Sequence, residues 1–352
     1  MKENKDRIVL DVAYQPQVRT KRDTRSIMLD VIIALIPAVC VSVWQFGFYP
    51  LAVIAVSMIS AVFFEWAYRK LMKKDNTIGD LSACVTGLLL ACTLPPSTPL
   101  WIPVIGTLFA IVVVKQLYGG IGKNFLNPAL AGRAFLLASY AAILGRFTIP
   151  NAIPVESAAS LDGVTMATPL AEMFAENPAM PGYFGFKQLF LGTIPGCIGE
   201  ISALALLVGG LYLILRKVIS WRIPTAFIGT VALLTLIFGR EGFSNVDWML
   251  YNVLSGGLML GAFFMATDYA TSPVTLPGQL IFGAGCGAIT VLIRYFGGFP
   301  EGVSYAILIM NLCSWAIDKG FNRHQFGVSK EDVKAAKAAK KEAKKAAKEA
   351  AK

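Results

Sequence analysis

Residues 27–47 read IMLDVIIALIPAVCVSVWQFG, a run in which Asp30 is the only charged side chain. A helix of about 20 apolar residues crosses the hydrocarbon core of a bilayer, and in lipid such a helix satisfies every backbone group within itself. The run therefore reads as a membrane span. Outward from it, comparable stretches lie at 49–68, 78–94, 99–118, 128–145, 194–215, 223–239, 247–267, 277–296 and 302–318. Over the 352 residues, 55% are hydrophobic and only 15% charged, with a mean hydropathy of +0.60. That excludes a soluble core-and-shell domain. The fold class is an all-α integral membrane protein of about ten transmembrane helices.

The formal charge of +10 is concentrated at the ends. Residues 330–352 hold nine Lys against Glu331, Asp332, Glu342 and Glu349, and residues 1–25 hold seven basic against four acidic side chains. Charge confined to ends and short loops is a membrane pattern, so nucleic acid is not a partner. With both termini cytoplasmic, the inner segments carry 27 of the 32 basic residues, among them Arg69, Lys70, Arg216 and Arg222. The outer side keeps Arg146, Lys187 and Arg240, with Arg294 near a helix end and Arg133 inside a span. An even number of crossings and an extracytoplasmic 146–193 segment follow. No cleavable signal peptide is apparent.

Cys40, Cys84, Cys92, Cys197, Cys286 and Cys313 are scattered through apolar runs without a CxxC pair, and His324 is the only histidine. Neither a disulfide framework nor a zinc site is readable, and each thiol reads as a small buried hydrophobe. An internal echo is present. LACTLPPSTP and then KQLYGGIG close two spans of the first half, and FMATDYATSP and then IRYFGGFP close two of the second. Charge places Gly119 and Gly120 inside and Gly297 and Gly298 outside, as an inverted duplication with broken helices requires. The segments are then an N-terminal stretch 1–25, a first repeat 26–145, the outer loop 146–193, a second repeat 194–320 and a Lys/Ala-rich cytoplasmic tail 321–352. The tail has helix propensity but no apolar stripe, and its lysines suit anionic headgroups.

The outer segment GRFTIPNAIPVESAASLDGVTMATPLAEMFAENPAMPGYFGF breaks the hydrophobic pattern and reads as a loop. Read locally, Asp162-Gly-Val-Thr165 is an Asx or Ser/Thr turn that caps a helix beginning near Leu170. The same stretch, Asp162-Gly163-Val-Thr165-Met-Ala167-Thr168, resembles the D-x-x-[ST]-x-A-T sequence on which flavin transferases esterify the phosphate of FMN to the final threonine. That resemblance makes Thr168 the acceptor. Esterification calls for an exposed hydroxyl, and the small Gly163 and Ala167 keep the approach clear.

RTKRDTRSIMLDVIIALIPA, YGGIGKNFLNPALAGRAFL and FMATDYATSPVT occur in order along the chain. Together with the acceptor stretch they resemble the RnfD/NqrB family over residues 18–320, and the length is more like RnfD. The resemblance implies two inverted five-helix repeats and a phosphoester-linked FMN on Thr168, in the bacterial inner membrane. It implies electron relay between ferredoxin and NAD with Na+ or H+ translocation, with RnfA, RnfB, RnfC, RnfE and RnfG-type partners and a flavin transferase for maturation. Met166 stands where the related SGAT form has Gly.

The resemblance also implies a second, non-covalent flavin, riboflavin or FMN, for which Gly119, Gly120, Asn124 and Asn127 are candidate contacts. Amides and free backbone N–H groups suit the polar edge of a flavin ring, while Asn127-Pro128 also reads as a helix start and the glycines as close packing. Acids at membrane depth are functional candidates: Asp30, Glu65, Glu200 and above all Asp268, whose neighbours Thr267, Thr271 and Ser272 offer oxygens to Na+. Arg133 suits either a flavin or a buried acid, and Arg294 snorkels at a helix end. From another class, a channel or secondary transporter of small solutes shares the inverted-repeat pattern.

Overall fold

The computed structural model describes residues 23–148, 150, 165–166, 168–174, 185–240, 242–297 and 301–321. The stretch to residue 22, Asp162, Gly163, Ala167, residues 298–300 and the tail from 322 lie outside the described residues.

Helix α1 (Thr24–Phe46) begins where the Asp23 carboxylate accepts the Thr24 N–H at 2.7 Å, and Gly47, at φ +78°, ends it. Helix α2 (Tyr49–Leu71) opens with Pro50 in its first turn and closes on Arg69 and Lys70, which suits the negative end of the helix dipole. Helix α3 (Ser82–Cys92) is shorter than the 78–94 expectation because residues Ile78–Asp80 form a separate 3-10 turn. Helix α4 (Trp101–Leu108) continues as a π-helical stretch, Phe109–Gln116, and then comes α5 (Pro128–Leu144).

Strands β1 (Phe147–Thr148) and β2 (Thr165–Met166) pair antiparallel, with Thr148 opposite Thr165. Two short helices follow, α6 (Pro169–Phe174) and α7 (Phe186–Leu191). Helix α8 (Ala203–Leu215) then corrects the expected span 194–215. Residues 194–202 are buried but irregular. Pro195, Gly196 and Gly199 disfavour a helix there, and the stretch pairs instead with the end of α3, Ile198 N–H to Leu94 C=O at 2.9 Å and Gly199 N–H to Cys92 C=O at 2.8 Å. Two loose ends thus satisfy each other at depth, which is the condition for broken helices in lipid.

Helix α9 (Arg222–Ile237) precedes a broken pair, α10 (Asn245–Leu254) and α11 (Leu258–Leu260, continued as the π-helical Gly261–Met265), bent by 59°. The break falls at Gly256 and Gly257, with φ +70° and +69°, a region open to glycine without strain. Helices α12 (Leu276–Phe296) and α13 (Val303–Gly320) complete the described chain. Helices α1, α2 and α12 are each long and apolar enough to cross a bilayer, and the two halves of the bent pair reach that length and apolarity together. The protein is a largely helical, multi-span membrane protein.

Small residues bring the helices together. The space a Cβ on Gly209 would need is taken by the Ala34 carbonyl of α1, and that on Gly283 lies 2.7 Å from the Ile223 carbonyl of α9. Gly87 of α3 lies as close to Ser57 of α2, whose hydroxyl donates to the Gly87 carbonyl at 2.7 Å. Such contacts drive association where lipid and side chain are equally apolar. The outward faces carry exposed Phe48, Ile59, Leu211, Leu215, Leu292, Phe296 and Leu312.

Contacts sort the connecting segments into two ends. At one, Asp30 meets Arg216 at 3.1 Å, Asp318 accepts the Val274 and Thr275 N–H groups, and Lys70 and Lys319 lie 4.7 Å over the rings of Trp66 and Trp315. At the other, Tyr49 donates to the Thr98 carbonyl and Ser97 to that of Arg146.

Candidate functional site

Thr168 stands at the second end as the N-cap of α6. Its Oγ accepts the Ala171 N–H at 3.3 Å and its carbonyl accepts the Glu172 N–H at 3.0 Å. The helix begins at Pro169, beside the expected start near Leu170, but its cap is Thr168 rather than the Asp162–Thr165 turn. The hydroxyl is not exposed: Thr168 is 5% accessible. This corrects the expectation of an open acceptor, and the helix that Thr168 caps is docked on the bundle. Leu170 and Met173 are buried, Phe174 packs on Trp248 and Tyr295 at 5.1 and 5.6 Å, and Arg240 donates to the Met173 carbonyl at 2.7 Å. Of the neighbouring candidates, Thr165 lies in β2, while Asp162, Gly163 and Ala167 lie outside the described residues.

Beside α6, a Cβ on Gly256 would collide with the Leu170 side chain and lie 2.9 Å from the Arg294 guanidinium. Arg294 does not snorkel. It is 2% exposed and donates to the Asn252 carbonyl at 2.6 Å and the Ser255 carbonyl at 3.3 Å. The α10–α11 break leaves carbonyls unpaired within the helix, and a buried guanidinium with five donors is suited to collecting them.

Arg133 pairs with an acid rather than standing free, forming an ion pair with Glu301 and donating to the Thr93 carbonyl at the end of α3. Cys197 Sγ lies 3.6 Å from the same guanidinium, and Glu200 accepts the Cys197 N–H at 3.2 Å. Cys197, Glu200 and Glu301 bring their ligand-type atoms within 4.8 Å of one another. With Arg133 among them the set is an ion-pair network. Burial and the neighbouring Glu200 push the Glu301 carboxyl up to about 7, against the pull of Arg133 and Arg294. Cys92 and Cys286 are buried as expected, whereas Cys40 and Cys313 are exposed on helix faces.

At the first end a cavity of about 320 Å³ opens between α1, α3, the π-helical end of α4, α8 and the segment after α11. Its walls are apolar, including Ile27, Met28, Val85, Leu89, Phe263 and Phe264, and its polar lining includes Ser82, Thr86, Lys115, Asn124, Asn127 and Asp268. Volume and lining match a small-molecule site. Asn127 holds two positions at once: its Oδ1 caps α5 through the Ala129 and Leu130 N–H groups, and its Nδ2 donates to the Met265 carbonyl at 3.1 Å. Asn124 lies against Asp268, which also accepts the Thr271 hydroxyl at 3.3 Å. Gly119 and Gly120 take φ +114° and +94° in the adjoining turn and do not line the cavity. Their place there is taken by Gly122.

Sequence reasoning missed Lys115. It is 3% exposed, with Nζ 2.7 Å from Glu65 Oε2 and 2.6 Å from Ser82 Oγ. Glu65 is fully buried and also accepts the Thr77 hydroxyl at 2.8 Å. A lysine inside the 99–118 span is the available signal, since intramembrane charges are rare without a partner or a role.

Known proteins resemble this chain over most of its length. The NQR2, RnfD, RnfE family matches residues 11–327. The D subunit of the Na+-translocating ferredoxin:NAD+ oxidoreductase complex of Acetobacterium woodii is 50% identical over 324 residues, 91% of this chain and 96% of that one. Its counterpart in the proton-translocating ferredoxin:NAD+ oxidoreductase complex of Clostridium ljungdahlii is 41% identical over 333 residues, 92% and 97% of the two chains. The corresponding protein of an ion-translocating oxidoreductase complex of Escherichia coli is 35% identical over 339 residues, 88% and 96%.

Proposed function

The chain belongs to the NQR2, RnfD, RnfE family, and from that premise we infer its function. It is a membrane subunit of an Rnf-type ferredoxin:NAD+ oxidoreductase that couples electron transfer to ion translocation, and it is not a complete enzyme alone. The channel or carrier reading gives way to it. Around this core, the chain makes ten crossings in two inverted five-helix repeats, 26–145 and 194–320, with the 146–193 loop extracytoplasmic and both termini in the cytoplasm. The shorter apolar helices α3, α4, α5, α8 and α9, together with α13, supply the further six crossings. Its partners are the RnfA, RnfB, RnfC, RnfE and RnfG-type proteins of such a complex.

Thr168 carries FMN through a phosphoester. The acceptor-like stretch ending on a hydroxyl held at one fixed place carries this reading. The residues fit the group in one respect and resist it in another. The Ala171 N–H of α6 donates to Thr168 Oγ and is a donor that a phosphate oxygen there would use, but Thr168 is buried. When bound, the flavin supplies one- or two-electron redox chemistry. The chain's part is mechanical and electrostatic: Phe174, Trp248 and Tyr295 fix α6 to the bundle, and Arg240 ties its end.

The cavity at the cytoplasmic end holds the second, non-covalent flavin. Its volume and apolar walls fit a flat ring, with Asn124, Asn127 and Asp268 at its polar positions. Asp268, beside Thr271, is also the place proposed for Na+. The test is in-gel fluorescence of the denatured protein after co-expression with a flavin transferase. Thr168→Val abolishes the signal if Thr168 is the acceptor, and persistence of the signal moves the acceptor elsewhere, Thr165 first.

A further inference from the structure

Among the described residues, Lys115 and Asp268 are the only charged side chains in the cavity lining, and they come from opposite halves of the chain. Lys115 sits on the π-helical end of α4. Widened turns of this kind are over-represented at functional sites, and the extra residue rotates the side chains beyond it, which brings a long cation to the cavity wall. An ammonium has three donors. Glu65 and Ser82 take two of them, at 2.7 and 2.6 Å, and the third is available to whatever occupies the space Lys115 lines.

Charge accounting supports a ligand role. A purely structural buried lysine–carboxylate pair is often replaceable as a whole by apolar packing at little cost, and this pair sits instead at a cavity wall. Glu65 itself is served by Thr77 and lies 3.9 Å from the Arg69 guanidinium, so it has cationic company without Lys115. Across the cavity, Asp268 is within electrostatic reach of Lys115 and is held by Asn124 and Thr271. The wall thus presents a donor on one side and acceptors on the other.

We propose that Lys115 is the anchoring residue for a planar heterocycle with carbonyl acceptors beside an N–H donor, its ammonium donating to a ring carbonyl while Asp268 and Asn124 face the N–H. This deepens the reading of the cavity as a flavin site and rests on it. The ammonium also favours the ligand form with more negative charge at that edge.

The experiment uses the full chain in detergent with Thr168→Val, which leaves the cavity as the sole flavin site, and riboflavin as the probe, titrated by quenching of its fluorescence. Lys115→Arg keeps affinity within about threefold of that parent. Lys115→Met/Glu65→Gln removes the cation without leaving a buried carboxylate alone, and weakens binding at least tenfold while gel filtration and helix content stay unchanged. The midpoint potential of bound riboflavin also falls in the double variant and not in Lys115→Arg. Should the double variant misfold, Lys115→Gln/Glu65→Gln, which keeps both positions polar and neutral, makes the same comparison. Equal affinity and potential in parent and charge-removed variants overturn the role of Lys115 and leave the cavity reading standing. A parent that binds no riboflavin overturns both.

Discussion

The Ala171 N–H donates to Thr168 Oγ at 3.3 Å, so the hydroxyl read as a flavin acceptor also caps α6, on a residue that is itself buried. A transferase needs that oxygen free of both the cap and the cover. Attachment therefore precedes docking of α6, or α6 must undock for it. Folded, unmodified protein is expected to accept flavin slowly from purified transferase, and Phe174→Ala, which loosens α6 from Trp248 and Tyr295, to accept it several times faster. Gel fluorescence against time measures this, and equal rates would contradict it.

Thr168→Asp separates the two roles of the side chain. Aspartate caps a helix as well as threonine does, whereas valine cannot, and loss of a cap costs about 1 kcal/mol. On the proposed attachment, both variants are expected to lack covalent flavin in the denatured gel. Hydrogen exchange at the Ala171 amide is expected to speed up in Thr168→Val and to stay slow in Thr168→Asp.

The close approach of α1 and α8 rests on Gly209, where a methyl group would collide with the Ala34 carbonyl. Gly209→Ala must push the helices apart, and overpacking of this kind costs about 1–3 kcal/mol. Thermal unfolding in detergent is expected to move to lower temperature, with Gly229→Ala, where a Cβ meets nothing within 4 Å, as the neutral control.

Glu301 gives the Arg133 network a pH dependence. Burial and Glu200 raise its carboxyl to about 7, above its ordinary value, so the folded state holds the proton more tightly than the unfolded chain. Stability from this group is present in full below the ordinary carboxylate range and is lost as pH rises through about 7. Unfolding temperature should fall from pH 5 to pH 8, and Glu301→Gln should flatten that fall. A slope unchanged by the substitution would remove Glu301 as its source.

Helices α1, α2, α5, α9, α12 and α13 follow stretches readable from hydropathy alone, because lipid enforces length and apolarity on a span. Residues 194–202 are not readable in this way, since they are apolar enough to be a helix and only their pairing with the end of α3 makes them something else. The same limit hides the inward turn of Arg294 and the Arg133–Glu301 pair, which join positions far apart in sequence. Asn124, Asn127 and Asp268 are legible as polar groups at helix breaks, and the structure brings them to one cavity. Lys115 joins them only through the widened end of α4, for which the sequence carries no local mark.

Peptide mass spectrometry of the mature protein, taken from cells that hold the flavin transferase, tests the central claim most directly. The peptide containing Thr168 should carry the mass of FMN less one water, with fragment ions assigning it to that threonine. The same peptide found entirely unmodified, or modified at Thr165 with Thr168 bare, would contradict the account.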